Sequence, residues 1–174
     1  MTESTSITIE PLDEITDDAV HQLADVLVDA VRGGAGVSFT ADLTVDQARE
    51  WWRTSLAARS ARAVVLVARD DGGIVGTVQI QPAWAPNQAH RADVVKLLVH
   101  RRARGRGIAR ALMAELERQA RSRRITLLLL DTCKGSAAER LYGMLGWTRV
   151  GEVPRFATNP DGSMCDTVFF YKEL

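Results

Sequence analysis

One stretch limits the fold more than any other. From Ala92 onward the apolar run "ADVVKLLVH" leads into "RRARGRG", then into "IARALMAELERQARS", and closes in "ITLLLLD" at Asp131. The outer runs have strand length, and the last is apolar throughout, as a strand buried on both faces must be. Between them Ile108, Leu112, Met113 and Leu116 recur at helical spacing. Strand, helix, strand in that order predicts a right-handed crossover joining two parallel strands.

The flanking chain fits around this unit. "SITIEPL" reads as a first strand. Val20, Leu23, Ala24, Leu27 and Val31 mark a helix for which Asp17 is a plausible cap. "LTVDQAREWWRTSLAARS" reads as a second helix, with Thr44 before Asp46 and Gln47 as its start signal. "RAVVLVARD" and "GGIVGTVQIQP" meet at "DDGG", a hairpin signal. "AAERLYGMLGW" is a short helix stopped by Gly146, and "TRVGEVPRF" and "CDTVFFYKEL" are last strands around an "NPDG" turn. The order β-α-α-β-β-β-α-β-α-β-β predicts an α/β fold, a mixed central sheet of about seven strands flanked by about four helices, in a single domain spanning residues 1–174.

Lys plus Arg equals Asp plus Glu at 22 each, which argues against a nucleic-acid partner, since such partners select a net basic face. No apolar run nears the roughly 20 residues of a membrane span. "MTESTSITIE" has neither a basic flank nor an apolar h-region, so no secretory signal is read there and a cytoplasmic protein is expected. Cys133 and Cys165 suggest neither a disulfide framework nor a metal site, so reduced thiols are expected. His21, His90 and His100 show no metal spacing, and no metal is expected.

The glycine–arginine loop leaves a strand and enters a helix at Ile108. The first N–H groups of that helix have no intrahelical partner and, with the helix dipole, suit a phosphate. Gly105 and Gly107 let the backbone curve closely around an anion. Arg102, Arg104 and Arg106 can add charge at its rim. The rival reading is a solvated basic turn; the strand before and the helix after favour the anion site.

Arg102-x-x-Gly105-x-Gly107 after "VVKLLVH" resembles motif A of the GCN5-related N-acetyltransferases, and "AAERLYGMLGW" resembles their motif B, with Leu141, Tyr142, Gly146 and Trp147 in place. The order of elements is similar over nearly the whole chain. More narrowly, "GGAGVSFTADLT", "HRADVVKLLV", "LDT" and "GEVPRFATNPDG" look like tabtoxin-resistance-type acetyltransferases. The resemblance implies acetyl-CoA as cosubstrate, its pyrophosphate on the loop with Ile108 and Ala109, and its thioester and pantetheine arm along the backbone of Leu97, Leu98 and Val99, where strands of this family bulge and splay. It departs at Gly135, where many members carry an asparagine that bonds the pantetheine.

Acetyl transfer to an amine needs a proton acceptor, because a lysine-like amine is neutral in only about one molecule in 2,500 at pH 7. Asp93, ahead of the apolar body of its strand, and Asp131, at a strand's carboxyl end, are both candidates, and either can instead anchor the ammonium. The resemblance makes Tyr142 the acid that protonates the departing thiolate; the bland alternative is a packed aromatic. An acyl-cysteine route through Cys133 is weaker. Trp51, Trp52 and Trp84 are possible cleft walls. The expected acceptor is a small primary amine, possible uses being detoxification of an amino-acid-like or β-lactam antimetabolite, by a monomer or homodimer. The rivals are a protein lysine or N-terminal acetyltransferase and a noncatalytic acyl-CoA-binding or oligomer-forming module.

Overall fold

The computed structural model describes residues 6–174. Its strands are β1 (Thr8–Pro11), β2 (Val64–Asp70), β3 (Gly73–Pro82), β4 (Arg91–Val99), β5 (Leu127–Cys133), β6 (Thr148–Thr158) and β7 (Met164–Glu173). Its helices are α1 (Asp17–Arg32), α2 (Val45–Ala57), α3 (Ile108–Ser122) and α4 (Ala137–Met144). One mixed sheet runs β1-β2-β3-β4-β5-β7-β6. Among the described residues only β4 and β5 pair in parallel, as the crossover through α3 predicts.

Local chemistry sets the helix starts. Thr44 and Gln47 form a reciprocal capping box at α2. At α1 the cap is Thr16, whose hydroxyl accepts from Ala19 N–H at 3.1 Å. Asp17 is instead the first helical residue, where its charge suits the dipole.

The sheet has a core on each face. On one side Leu112, Met113 and Leu116 of α3 and Tyr142 of α4 pack with Val78, Ile80, Leu128 and Leu130. On the other, Val20, Leu23 and Leu27 of α1 and Trp52 of α2 pack with Val65 and Val67. Removing such side chains from water is the main force that holds the helices on the sheet.

The expectation of reduced thiols is corrected. Cys133 and Cys165 are joined by a disulfide across 32 residues. Their strands, β5 and β7, are neighbours in the sheet, and Cys133 lies opposite Thr167, two residues from Cys165. Cys133 is therefore not a free nucleophile, and the acyl-cysteine route falls. No helix among the described residues is long and apolar enough to cross a membrane.

Candidate active site

The site begins where the parallel ladder stops. Arg91, Ala92 and Asp93 pair with Leu127, Leu128 and Leu129, but β4 runs on to Val99 and β5 to Cys133 without further mutual pairing. The two strands part into a fork. Along its open edge β4 presents backbone N–H and C=O groups that need partners.

A bulge lies at the same place. Thr77 of β3 faces Leu98 of β4, while Gln79 faces Val95, so β4 carries one residue more than β3 between them. Lys96 takes the strain there, at φ 56°. A left-handed lysine costs about 1 kcal/mol or more. Leu97, Leu98 and Val99 follow the bulge, on the limb expected to hold the pantetheine arm.

Ion pairs tie the loop after β4 to Asp29 and Asp70. Arg101–Ala103 make a 3-10 turn capped by His100, whose Nδ1 accepts from Arg102 N–H at 3.1 Å. Gly105 and Gly107 stand at φ 77° and 75°, and a Cβ at either would meet nothing within 4 Å in the protein. Their conformation, not crowding, therefore selects glycine. Gly107 caps α3 without a side-chain bond, so the first N–H groups of α3, at Ile108 and Ala109, face an outside acceptor. That arrangement fits a phosphate.

The rim arginines are more constrained than the sequence suggests. Arg102 reaches Asp70 at 2.9 Å and Arg106 reaches it at 3.2 Å. Arg104 donates to the Val99 carbonyl at 3.2 Å. Arg101 donates its backbone N–H to Asp29 at 2.8 Å and pairs with it through its side chain. Burial pushes the Asp70 pKa up, but the bonds from Arg102, Gly72 N–H and Arg106 outweigh it and hold the carboxyl below its ordinary value. Asp70 thus fixes where two rim charges sit.

At the fork Asp131 comes within electrostatic reach of both Asp93 and Tyr142. Asp93 pairs with Arg91 at 2.8 Å. Partial desolvation raises the Asp131 pKa; Lys96 opposes this and Asp93 adds to it. Tyr142 is 5% exposed, its ring 5.9 Å from Trp147 and 6.0 Å from Phe170. Burial, and then the Asp131 charge, push its hydroxyl well above the ordinary tyrosine value. It stays protonated at neutral pH, as a proton donor must.

Lys96 belongs to the cluster and is not evident in the sequence. Its ammonium lies 5.1 Å from the Trp51 ring centre and 5.7 Å from that of Phe39. It donates to the Val37 carbonyl and Ser38 hydroxyl, each at 3.1 Å. Burial lowers its pKa, against the pull of Asp131. A lysine on a strand ordinarily reads as a solvated position; only the bulge turns it inward. Trp52 is fully buried and Trp51 half-buried beside Phe39, whereas Trp84 is 93% exposed. At Gly135 the left-handed backbone (φ 79°) makes the turn into α4, and Ser136 caps that helix by accepting from Glu139 N–H at 3.1 Å.

A fork, a bulged strand and a helix N-terminus that fits a phosphate lie together in the fold, and comparison with known proteins gives the family. The profile of the Acetyltransferase (GNAT) family matches residues 22–147. The chain belongs to this family and is an acetyl-CoA-dependent N-acetyltransferase. It is 31% identical over 129 residues to an uncharacterized N-acetyltransferase encoded in the hisH-hisA intergenic region of Azospirillum brasilense, covering 73% of this chain and 76% of that one. The ribosomal-protein-alanine N-acetyltransferase of Brucella melitensis superposes with a TM-score of 0.78 at 25% identity, over 96% of this chain and 99% of the other. The yncA protein of Salmonella typhimurium, solved with its cofactor acetyl-CoA, shares the fold with a TM-score of 0.77 at 19% identity, over 97% and 94%.

Proposed function

We propose that the chain moves the acetyl group of acetyl-CoA onto a primary amine of a small molecule. The observation that carries this is the grouping of Asp93, Lys96, Asp131 and Tyr142 at the fork, where Asp93 belongs to the last β4–β5 pair and Asp131 lies two residues beyond its partner Leu129. In this reading Gly105, Gly107 and the first turn of α3 hold the pyrophosphate, with Arg102, Arg104 and Arg106 at its rim. The backbone of Leu97, Leu98 and Val99 aligns the pantetheine arm.

Asp93 or Asp131 takes the proton that makes the amine nucleophilic. Desolvation raises the Asp131 pKa, while Asp93 is tied to Arg91. The amine nitrogen attacks the thioester carbon, the C–S bond breaks, and the Tyr142 hydroxyl gives its proton to the departing sulfur. Alignment of the two reactants supplies much of the rate.

The narrower likeness to tabtoxin-resistance-type enzymes suggests detoxification of an amino-acid-like or β-lactam antimetabolite. A second reading, transfer to a protein N-terminus, draws on the similarity to the ribosomal-protein-alanine enzyme. Thiol release measured with small amines and with alanine-ended peptides separates them. Turnover with the amines supports the proposal; turnover with the peptides alone contradicts it.

A further inference from the structure

The face of β3 that looks toward α2 is polar where burial calls for apolar side chains. Buried Thr77 and Gln79 and exposed Gln81 alternate along it, while Val78 and Ile80 on the opposite face lie in the α3 core. Thr77 is 0% and Gln79 4% exposed. Neither Thr77 Oγ1 nor Gln79 Nε2 has a partner among the described residues. Gln79 Oε1 accepts from Gln81 Nε2 at 3.4 Å, so the unused end of the Gln79 amide is its donor end. An unpaired buried donor is costly, and its presence points to a ligand atom that accepts from it.

A place for that atom adjoins the fork. Gln79 and Gln81 line a cavity of about 280 Å³ together with Ser55 and Arg59 from the end of α2. Arg59 is braced there, its guanidinium donating to the Leu56 carbonyl at 2.8 Å. Gln81 lies directly opposite Asp93 on the β3–β4 ladder, a spacing of about 5 Å between Cβ atoms. From Gln81 to Gln79 is a further two residues, roughly 6.6 Å along the strand. The polar side chains that line the cavity are the amides of Gln79 and Gln81, the hydroxyls of Ser55 and Ser60 and the Arg59 guanidinium; all can donate, and the guanidinium favours an anion. The volume suits the tail of a small molecule rather than a folded partner.

We infer that this cavity is the tail pocket of the acceptor and takes a carboxylate carried about 5–8 Å from the amine at Asp93. The inference rests on the proposal that the acceptor is a small amine. Gln79 and Arg59 then set specificity without touching the reacting atoms, so their loss weakens binding and leaves turnover nearly unchanged.

The test uses three probes of one chain length: pentylamine, 5-aminopentanamide and 5-aminopentanoate. Each is titrated by calorimetry into the full-length protein with CoA present, and each is assayed with acetyl-CoA for thiol release. The wild type is expected to bind 5-aminopentanoate at least tenfold tighter than pentylamine. Gln79→Glu, which sets a like charge against the carboxylate, and Arg59→Gln, at a half-exposed site that the core does not need, should each cut that preference to threefold or less. Equal binding of pentylamine, binding of the amide as tight as that of the carboxylate, or a preference that survives both substitutions overturns the inference. Preference for the carboxylate without thiol release from any probe supports the pocket and counts instead against the small-amine proposal.

Discussion

Asp93 and Leu129 form the last pair of the β4–β5 ladder, so the candidate base sits at the vertex of the fork. Beyond it the bulge turns Lys96 inward and Asp131 lies on the other limb. Asp93→Asn keeps the shape and removes the proton acceptor. If Asp93 is the base, this variant is slow at pH 7 and recovers in part at high pH, where solvent delivers neutral amine. If it anchors the ammonium, the loss appears as a raised KM with kcat intact. Asp131→Asn is expected to show the complementary pattern. Small and equal effects from both variants would exclude this pair as the proton acceptor.

Asp131 also makes a prediction about stability. Its folded pKa is raised, chiefly by desolvation. The folded protein therefore favours the protonated carboxyl, and stability is lost as pH rises from the ordinary carboxylate value through the raised one. Above that window the ionised group opposes folding. Asp131→Asn is therefore expected to raise the thermal midpoint at pH 7, with the gap closing as pH falls toward 4. A lower midpoint at pH 7 contradicts the desolvation.

The proposed phosphate cradle has Gly105 and Gly107 at φ near 75°. Gly107→Val puts a β-branched side chain where that conformation is strained and where it faces the anion. Acetyl-CoA affinity should fall at least tenfold while the circular dichroism spectrum stays native. An unchanged calorimetric affinity in a folded variant contradicts the cradle.

Asp70 orders the rim without facing the reaction. Asp70→Asn removes the shared anchor of Arg102 and Arg106, and the two guanidiniums then pay more entropy to meet a phosphate. Acetyl-CoA affinity is expected to drop several-fold with kcat little changed. Tighter binding would show that Asp70 competes with the phosphate instead of presenting the arginines.

The crossover, the loop and the order of elements were legible because each rests on local pattern: an apolar strand, glycines in sequence, apolar residues at helical spacing. Asp93, Asp131 and Tyr142 are candidates by residue type and family resemblance, and in the structure they lie inside β4, β5 and α4. Lys96 was not legible, because its inward turn depends on an extra residue relative to β3, which only the pairing reveals. The Cys133–Cys165 bond was hidden for the same reason: β5 and β7 become neighbours by sheet order, not by spacing. The tie of Arg102 and Arg106 to Asp70 joins residues more than thirty positions apart through the β2–β3 hairpin end.

The proposed reaction is tested most directly at Tyr142, through single-turnover transfer from acetyl-CoA to a small primary amine by the wild type and by Tyr142→Phe. The substitution keeps the ring that packs on Trp147 and Phe170 and removes only the hydroxyl. The account predicts thiol release and N-acetylated amine in equal amounts from the wild type, and a rate about 10²-fold lower in the variant with acetyl-CoA affinity unchanged. A rate within twofold of the wild type would make Tyr142 a packing residue, and the absence of N-acetylated amine from the wild type would contradict the proposed reaction itself.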